Sequence, residues 1–422
     1  MSSFLKINLP SNWQIKKMKD CVNINPENLN INGYSRDYIN YIDISSIDNS
    51  TFLIKNIKQI NISNLPSRAR RIVKRNDIII STVRPYLKAF SKILLKHDNY
   101  ICSTGFAVLR VKRELDYEYL FQYVLSQKFV NYMISQMVGS SYPAVNMSDV
   151  KVAPVIVPPL EEQQKIASIL SNVDDIIIET QNVIENLKLI KKGLMQHLFT
   201  QGIGHTEFKE MKWGKIPKEW DIQKLSKVVV EGDGLKRGPW GGSVKKEYFV
   251  KTGYKIYEQK CVIKNDFSLG NYYIDEEKFQ ELKQFEIESG DLLMTAAGTL
   301  GVIAIVPNGI EQGIYNQAII RIRLNEDILN KLFFKYFLKS DFLNKLIKRF
   351  TFGSAIKNFA SIKILSSVQI PIPPLNEQER IIQIFKSIDD KIENEKYYDN
   401  KLKIIKNGLM QDLLTGKVRV IL

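Results

Sequence analysis

Two loop-like stretches of this chain gather the residue types that approach phosphates and read base edges. The first is Ser81-Thr82-Val83-Arg84-Pro85-Tyr86-Leu87-Lys88, with Cys102-Ser103-Thr104-Gly105-Phe106 after it. The second is Gly232-Asp233-Gly234-Leu235-Lys236-Arg237-Gly238-Pro239-Trp240-Gly241-Gly242-Ser243, then Lys245-Lys246. An arginine fork can pair bidentately with a guanine edge, lysine neutralises a phosphate, hydroxyls serve either, and glycine lets backbone come close. The candidate nucleic-acid contacts are Arg84, Tyr86, Lys88, Ser103 and Thr104 in the first stretch, and Lys236, Arg237, Trp240, Ser243, Lys245 and Lys246 in the second. Any one of these suits an ordinary solvent-facing loop; the segments as wholes carry the reading.

Residues that would carry catalysis are missing. Gly232-x-Gly234-x-x-x-Gly238 has the wrong spacing for a dinucleotide fingerprint, and no GxxxxGK[ST] phosphate cradle is present. HExxH, GxSxG and an Asn-Pro-Pro-aromatic tetrapeptide are also absent. Cys21, Cys102 and Cys261 show no metal-ligand spacing with His97, His197 and His205, which suggests a metal-free protein of a reducing compartment. The acid pairs Asp174-Asp175 and Asp389-Asp390 fall in helical segments, where successive residues point to different faces, so they read as structural. This equipment fits a recognition module that serves enzymes on other chains.

Charge points the same way. The 422 residues carry a formal net charge of +15. Lys and Arg against Asp and Glu number 21 to 11 in residues 1–157 and 26 to 20 in 206–370, but 4 to 6 in 158–205 and 9 to 8 in 371–422. A lysine bias of the genome would spread evenly, whereas an excess confined to two segments suits phosphate contact by those segments. No apolar run approaches the roughly 18 residues of a membrane span, and Met1–Lys6 opens no signal peptide, so a cytoplasmic location is expected.

The elements that must position these loops come in duplicate. Residues 157–200 recur 215 positions later, with 20 of 44 aligned residues identical: Val157-Pro158-Pro159-Leu160-Glu161-Glu162-Gln163 returns as Ile372-Pro373-Pro374-Leu375-Asn376-Glu377-Gln378, and Gly193-Leu194-Met195-Gln196 as Gly408-Leu409-Met410-Gln411. Ile166, Leu170, Val173, Ile177, Ile184, Leu187, Leu194 and Leu198 fall on a 4,3 spacing, with Thr180 and Lys191 filling the gaps, which predicts one long helix with a continuous seam. The second copy starts with Asn376 as N-cap and Ile381, Phe385, Ile388 and Ile392 on the seam. Glu395 and Asp399 interrupt it before Leu402, Leu409 and Leu413, so its middle is expected to rotate toward Tyr398 and Ile405 or to stay partly solvated. A stripe this long needs a partner helix, and its duplicate, packed antiparallel, is the nearest, the alternative being that each helix packs on its own globular half.

The segments in front of the helices share a scaffold. Leu9-Pro10-Ser11-Asn12-Trp13 matches Ile216-Pro217-Lys218-Glu219-Trp220; Asp77-Ile78-Ile79-Ile80 matches Asp291-Leu292-Leu293-Met294; Ala107-Val108-Leu109-Arg110-Val111 is aligned with Ala318-Ile319-Ile320-Arg321-Ile322. An amphipathic helix follows each, around 119–137 and 332–348. The fold class expected is α+β: two similar mixed α/β domains, separated by two long helices that form an antiparallel coiled coil with internal pseudo-two-fold symmetry. The boundaries are 1–157, 158–204, 205–371 and 372–422.

Pro-Pro-Leu-x-Glu-Gln leading a long helix that ends in Gly-Leu-Met-Gln-x-Leu, twice, with variable domains in front, closely resembles the specificity subunit of type I restriction-modification enzymes. The Ser81–Tyr86, Cys102–Ala107 and Gly238–Ser243 phrases are similar to those of its target recognition domains. The resemblance implies a non-catalytic chain in which each variable domain reads one half of a split site in double-stranded DNA and the helices set the spacer. It also implies two methyltransferase subunits and motor-nuclease subunits as partners. S-adenosylmethionine, ATP and Mg would bind those partners, with no cofactor on this chain. The alternatives are a coiled-coil DNA-binding scaffold without sequence preference and a subunit of a type II-like enzyme.

Overall fold

The computed structural model describes residues 9–31, 36–94, 99–211, 214–340 and 362–421. His97 and the end of the second amphipathic segment, from 341, lie outside them. The chain forms two units, residues 1–183 with 395–422, and residues 184–394.

Each unit is built around one strand that is buried along its whole length. In Ile78–Ser81 of the first unit, Ile78 and Ile80 join a core with Leu120, Val124 and Leu109, while Ile79 points the other way into a core with Ile42, Cys102 and Val108. A run buried on both faces is what a central layer requires. Its sheet orders Val22–Ile24, Phe106–Val111, Ile78–Ser81 and Phe90–Lys92. The outer sheet orders Lys58–Asn61, Tyr38–Ile42, Tyr100–Ser103 and Ala69–Ile72, its two middle strands parallel. The second unit repeats the plan: Leu292 and Met294 face one core and Leu293 the other. Leu235–Arg237, Ile319–Ile322, Leu292–Thr295 and Ile303–Ile305 make its central sheet, and Tyr254–Tyr257 runs parallel to Gly313–Tyr315 in its outer one. Antiparallel pairs Gln14–Lys17 with Pro154–Val157, and Asp221–Lys224 with Gln369–Ile372, join the start of each domain to the strand before its long helix.

Pairing register corrects one sequence alignment. Ile78 faces Leu109, and Leu292 faces Ile322, so Arg110 corresponds to Arg323, two residues beyond Arg321. The side chains agree. Arg110 forks onto Asp77 with both bonds at 2.8 Å, and Arg323 forks onto Asp291 at 2.7 and 2.8 Å. Asp77 and Asp291 are buried, and these hydrogen bonds hold both guanidinium groups above their ordinary pKa. The first amphipathic segment is two helices, Tyr117–Leu125 and Gln127–Ser135, because Ser126 ends one and caps the next, its Oγ accepting from Phe129 N.

The long helices are Leu160–Gln201 and Leu375–Leu413, roughly 60 Å each at 1.5 Å per residue. In the first unit Asp174 accepts from Lys406 at 2.5 Å, and Gln181 reaches Asp399 at 3.2 Å. In the second unit Lys191 bonds Asp389 and Phe199 stacks on Phe385 at 5.5 Å. As one number rises the other falls, so the helices pack antiparallel within each unit. Every 4,3 position of the first copy is buried or half-buried, Thr180 included. The second helix does not rotate: Tyr398 and Ile405 stay exposed, while Asp399 is buried on the seam between Gln181 and Lys403. It also starts at Leu375, so Asn376 lies in its first turn, taking the backbone N–H of Glu377, rather than ahead of it. The adjacent acids are structural, as expected for Asp174 and Asp389: Gln122 donates to the first and Tyr336 to the second.

Candidate DNA-recognition surfaces

Three loops of the first unit are tied into one patch. Thr82 N and Oγ1 donate to Gly105 O at 2.9 and 3.0 Å, Val145 N donates to Thr82 O at 2.9 Å, and Arg84 N donates to Pro143 O at 2.9 Å. The turn Pro85–Leu87 lies between Arg84 and Lys88, both in the left-handed region at φ +47° and +51°, a conformation that non-glycine residues adopt only when surroundings enforce it. The effect is to present Arg84 and Tyr86 to solvent beside exposed Thr104. The Arg84 guanidinium sits 5.4 Å from the ring centre of Tyr142, which is 76% exposed.

The other two candidates of this stretch turn inward. Lys88 donates to Leu125 O at 3.1 Å, closing the end of a helix, and its ammonium pKa is pushed down by burial and by Lys406. Ser103 is buried and its Oγ accepts from Gly105 N at 3.2 Å, which shapes the loop rather than its surface. Tyr142 carries no motif and is visible only once the loops are folded.

In the second unit Arg237 Nε donates to Gln317 O at 3.3 Å, and Gly238 packs so close that a Cβ there would lie 2.0 Å from Asn316 O. Only glycine lets these two loops touch. Trp240 then projects with 89% of its surface exposed, and Ser243 N bonds back to Trp240 O at 2.8 Å. Lys245 and Lys246 are exposed, Lys245 lying 3.5 Å from Glu247. Lys236 is engaged with Asp233 at 2.9 Å. Burial opposes the charge of Asp233, but the hydrogen bond from Lys236 and the fields of Arg321 and Arg323 outweigh it and hold the carboxyl below its usual range.

The two stretches picked from sequence are not equivalent places. The position of Thr82–Lys88 is taken in the second unit by Ala296–Val302, and that of Ser103–Gly105 by Asn316–Ala318; Ala296 N donates to Ala318 O at 2.7 Å as Thr82 N does to Gly105 O. Gln259 holds this loop by bonds to Ala297 O and Thr299 O at 2.6 and 3.0 Å. The equal distance from Asp77 and Asp291 was the signal that could have found it.

Among the described residues no group of three or more His, Cys, Asp and Glu could hold a metal ion, and no helix is long and apolar enough to cross a membrane. The chain is 29% identical over 360 residues to the type I restriction enzyme MjaVIII specificity subunit of Methanocaldococcus jannaschii, covering 83% of this chain and 80% of that one. To the EcoKI specificity subunit of Escherichia coli K12 it is 22% identical, over 92% of this chain and 83% of the other. Its fold is similar to that of a chain solved in a type I R-M system, with a TM-score of 0.66 at 24% identity, covering 97% and 100% of the two chains. The family model described as type I restriction modification DNA specificity domain matches residues 10–189 and again 217–403, so the chain belongs to that family, twice over.

Proposed function

We propose that this chain is the DNA specificity subunit of a type I restriction-modification complex, each globular domain reading one half of a bipartite site. The observation that carries the reading is one backbone plan used twice with different loops. Register, the aspartate-arginine fork and the loop-to-loop bond recur, while Arg84-Pro85-Tyr86 stands where Gly298-Thr299-Leu300 does. A scaffold kept while its solvent-facing loops differ is what two different half-sites require.

In this reading residues 1–157 and 205–371 recognise DNA, and 158–204 and 372–422 set the unread spacer and dock two methyltransferase subunits, to which motor-nuclease subunits add. The exposed candidates Arg84, Tyr86, Thr104, Trp240, Lys245 and Lys246 contact DNA together with half-buried Arg237 and Ser243, and Lys88, Ser103 and Lys236 shape the loops. The chain performs no chemistry itself and acts in the cytoplasm. S-adenosylmethionine, ATP and Mg belong to the partner subunits. The target base would be flipped there, at a few kcal/mol of unstacking. Exchanging residues 1–157 for the corresponding domain of a relative, and sequencing the methylated sites, tests the proposal: one half-site should change and the other stay. A change in both halves would refute it.

A further inference from the structure

The helices Tyr117–Leu125 and Lys331–Lys339 hold the same place in their units. Asp116 N and Asn330 N each donate to the buried glutamine of the repeat, Gln163 or Gln378, at 2.8 Å, and Ser126 and Ser340 close the two helices alike. One face has diverged. In the first unit Phe121 and Leu125 are buried there, Phe52 stands edge-on to Phe121 at 6.4 Å, and the ammonium of Lys406 lies 5.8 Å from the Phe52 ring. In the second unit the same two positions are Lys335 and Lys339, one helical turn apart. Lys191, the duplicate of Lys406, joins them, its ammonium 5.2 Å from the ring of Tyr336.

Charge does not balance at this spot. Asp389 faces the cluster with one oxygen bonded to Lys191 and the other accepting from the Tyr336 hydroxyl at 2.8 Å. Among the described residues no carboxylate pairs with Lys335 or Lys339. Both ammonium pKa values are pushed down, first by burial, although Lys339 as a whole remains exposed, and then by like charge, Lys339 and Lys191 on Lys335 and Lys191 on Lys339; the single carboxylate of Asp389 acts the other way on both and does not offset this. Partly dehydrated cations held close together are unfavourable without a counter-charge. The first unit shows that the fold accepts apolar residues at both positions, so packing does not require the lysines.

We infer that Lys191, Lys335 and Lys339 form a phosphate-binding cluster that grips the DNA backbone from helices rather than from the reading loops. The inference rests on the DNA-recognition reading above. A phosphodiester supplies the missing negative charge and accepts hydrogen bonds from all three ammonium groups.

The test is the full chain with Lys335→Gln and Lys339→Gln together, bound to its cognate duplex over a range of salt. The slope of log affinity against log salt should fall by about 0.9 for each phosphate that is no longer neutralised, with the recognised sequence unchanged. Thermal unfolding should occur at the same temperature or higher, since repulsion is relieved. A duplex carrying one neutral methylphosphonate linkage, moved along the strand, should have a position that weakens the parent chain and not the variant. An unchanged slope overturns the inference, as does a cluster that takes inorganic phosphate while no linkage responds. A parent chain that binds DNA without sequence preference, yet keeps the slope difference, would remove the recognition reading and leave the cluster standing.

Discussion

The indole N–H of Trp220 donates to Oε2 of Glu377 across 2.9 Å, joining the opening phrase of the second domain to the glutamate of its Pro-Pro-Leu-x-Glu-Gln phrase. Trp13 does the same to Glu162 at 3.2 Å in the first unit. Both carboxylates are buried, and each has a partner from the chain beyond a long helix: Arg419 bonds Glu162, and His205 Nε2 lies 3.0 Å from both oxygens of Glu377. Gly202 lets the chain turn there at φ +64°, with Glu377 Oε1 only 2.5 Å from where its Cβ would be. The repeated phrases are thus two ends of one buried bond.

Removing either carboxylate leaves an indole N–H, and the side chain of Arg419 or His205, without that acceptor. Glu162→Ala and Glu377→Ala are expected to destabilise their own units by roughly 1–3 kcal/mol. Denaturant unfolding should show the loss in each, and Glu377→Ala should leave the first unit as stable as before. A loss below about 0.5 kcal/mol in both variants would mean that the node is decorative.

The forked pairs behind the reading loops predict a second loss. Arg110→Ala would leave Asp77, which is 1% exposed, as a buried charge without its fork, and Arg323→Ala would do so for Asp291. Breaking a buried pair from one side costs about 3–5 kcal/mol, reduced here because the arginines are partly exposed. Replacing both partners of a fork by apolar residues should recover part of the loss, measurable as a double-mutant cycle.

Much of this was legible because it is local. Seam periodicity, the largely apolar central strands and the charge split are each read from contiguous stretches of sequence. The glutamate nodes were not, since Trp13 and Glu162 lie 149 positions apart and neither type announces the other. The alignment of the two halves slipped because Arg321, in the strand Ile319–Ile322, and Arg323, just past its end, are two apart; the fork onto Asp291 tells them apart. Of the two expectations for the middle of the second helix, rotation toward Tyr398 and Ile405 or partial solvation, the rotation does not occur because Asp399 finds Gln181 and Lys403, so a polar residue stays on the seam.

Acid should weaken both units. Hydrogen bonds from Lys74 and Arg110 lower the pKa of Glu27, and Asp233 is lowered by its lysine and arginines against its burial. A carboxylate whose folded pKa is depressed binds fewer protons than in the unfolded chain. Its contribution is therefore complete above the ordinary carboxylate range, about pH 4, and is lost as pH falls through the depressed value. Melting temperatures taken from pH 6 down to pH 3 should fall, and Asp233→Asn should flatten the fall in the second unit. An equal slope in the variant would exclude Asp233 as a source.

Base readers and phosphate contacts should separate among the candidate loop residues. Arg84 is held at 5.4 Å from Tyr142, and Arg237 by Gln317 O, so both guanidinium groups are held in place by neighbouring loops. Arg84→Ala and Arg237→Ala are expected to cost roughly 1–3 kcal/mol on the cognate duplex and to relax one position of the site. Lys245→Ala or Lys246→Ala should weaken all sequences alike and lower the salt slope by about 0.9. Equal losses on cognate and random DNA would move the arginines to the phosphate class.

The helical repeat offers the test with the most separable outcomes. Residues 160–183 and 184–201 are one continuous helix whose 4,3 positions are buried or half-buried throughout, so its faces are fixed by counting. Four residues inserted after Thr180 add about 6 Å of rise and turn the following seam by roughly 400°, close to a whole turn. Ile184, Leu187, Leu194 and Leu198 would then keep nearly the same face, and the unread spacer should lengthen by one or two base pairs, at about 3.4 Å each, with both half-sites unchanged. Two residues turn the seam by about 200° and expose those four side chains instead. That variant should fail to assemble. Mapping methylated sites for both variants decides the matter, because full activity with an unchanged spacer in the two-residue variant would mean that this helix does not set the distance.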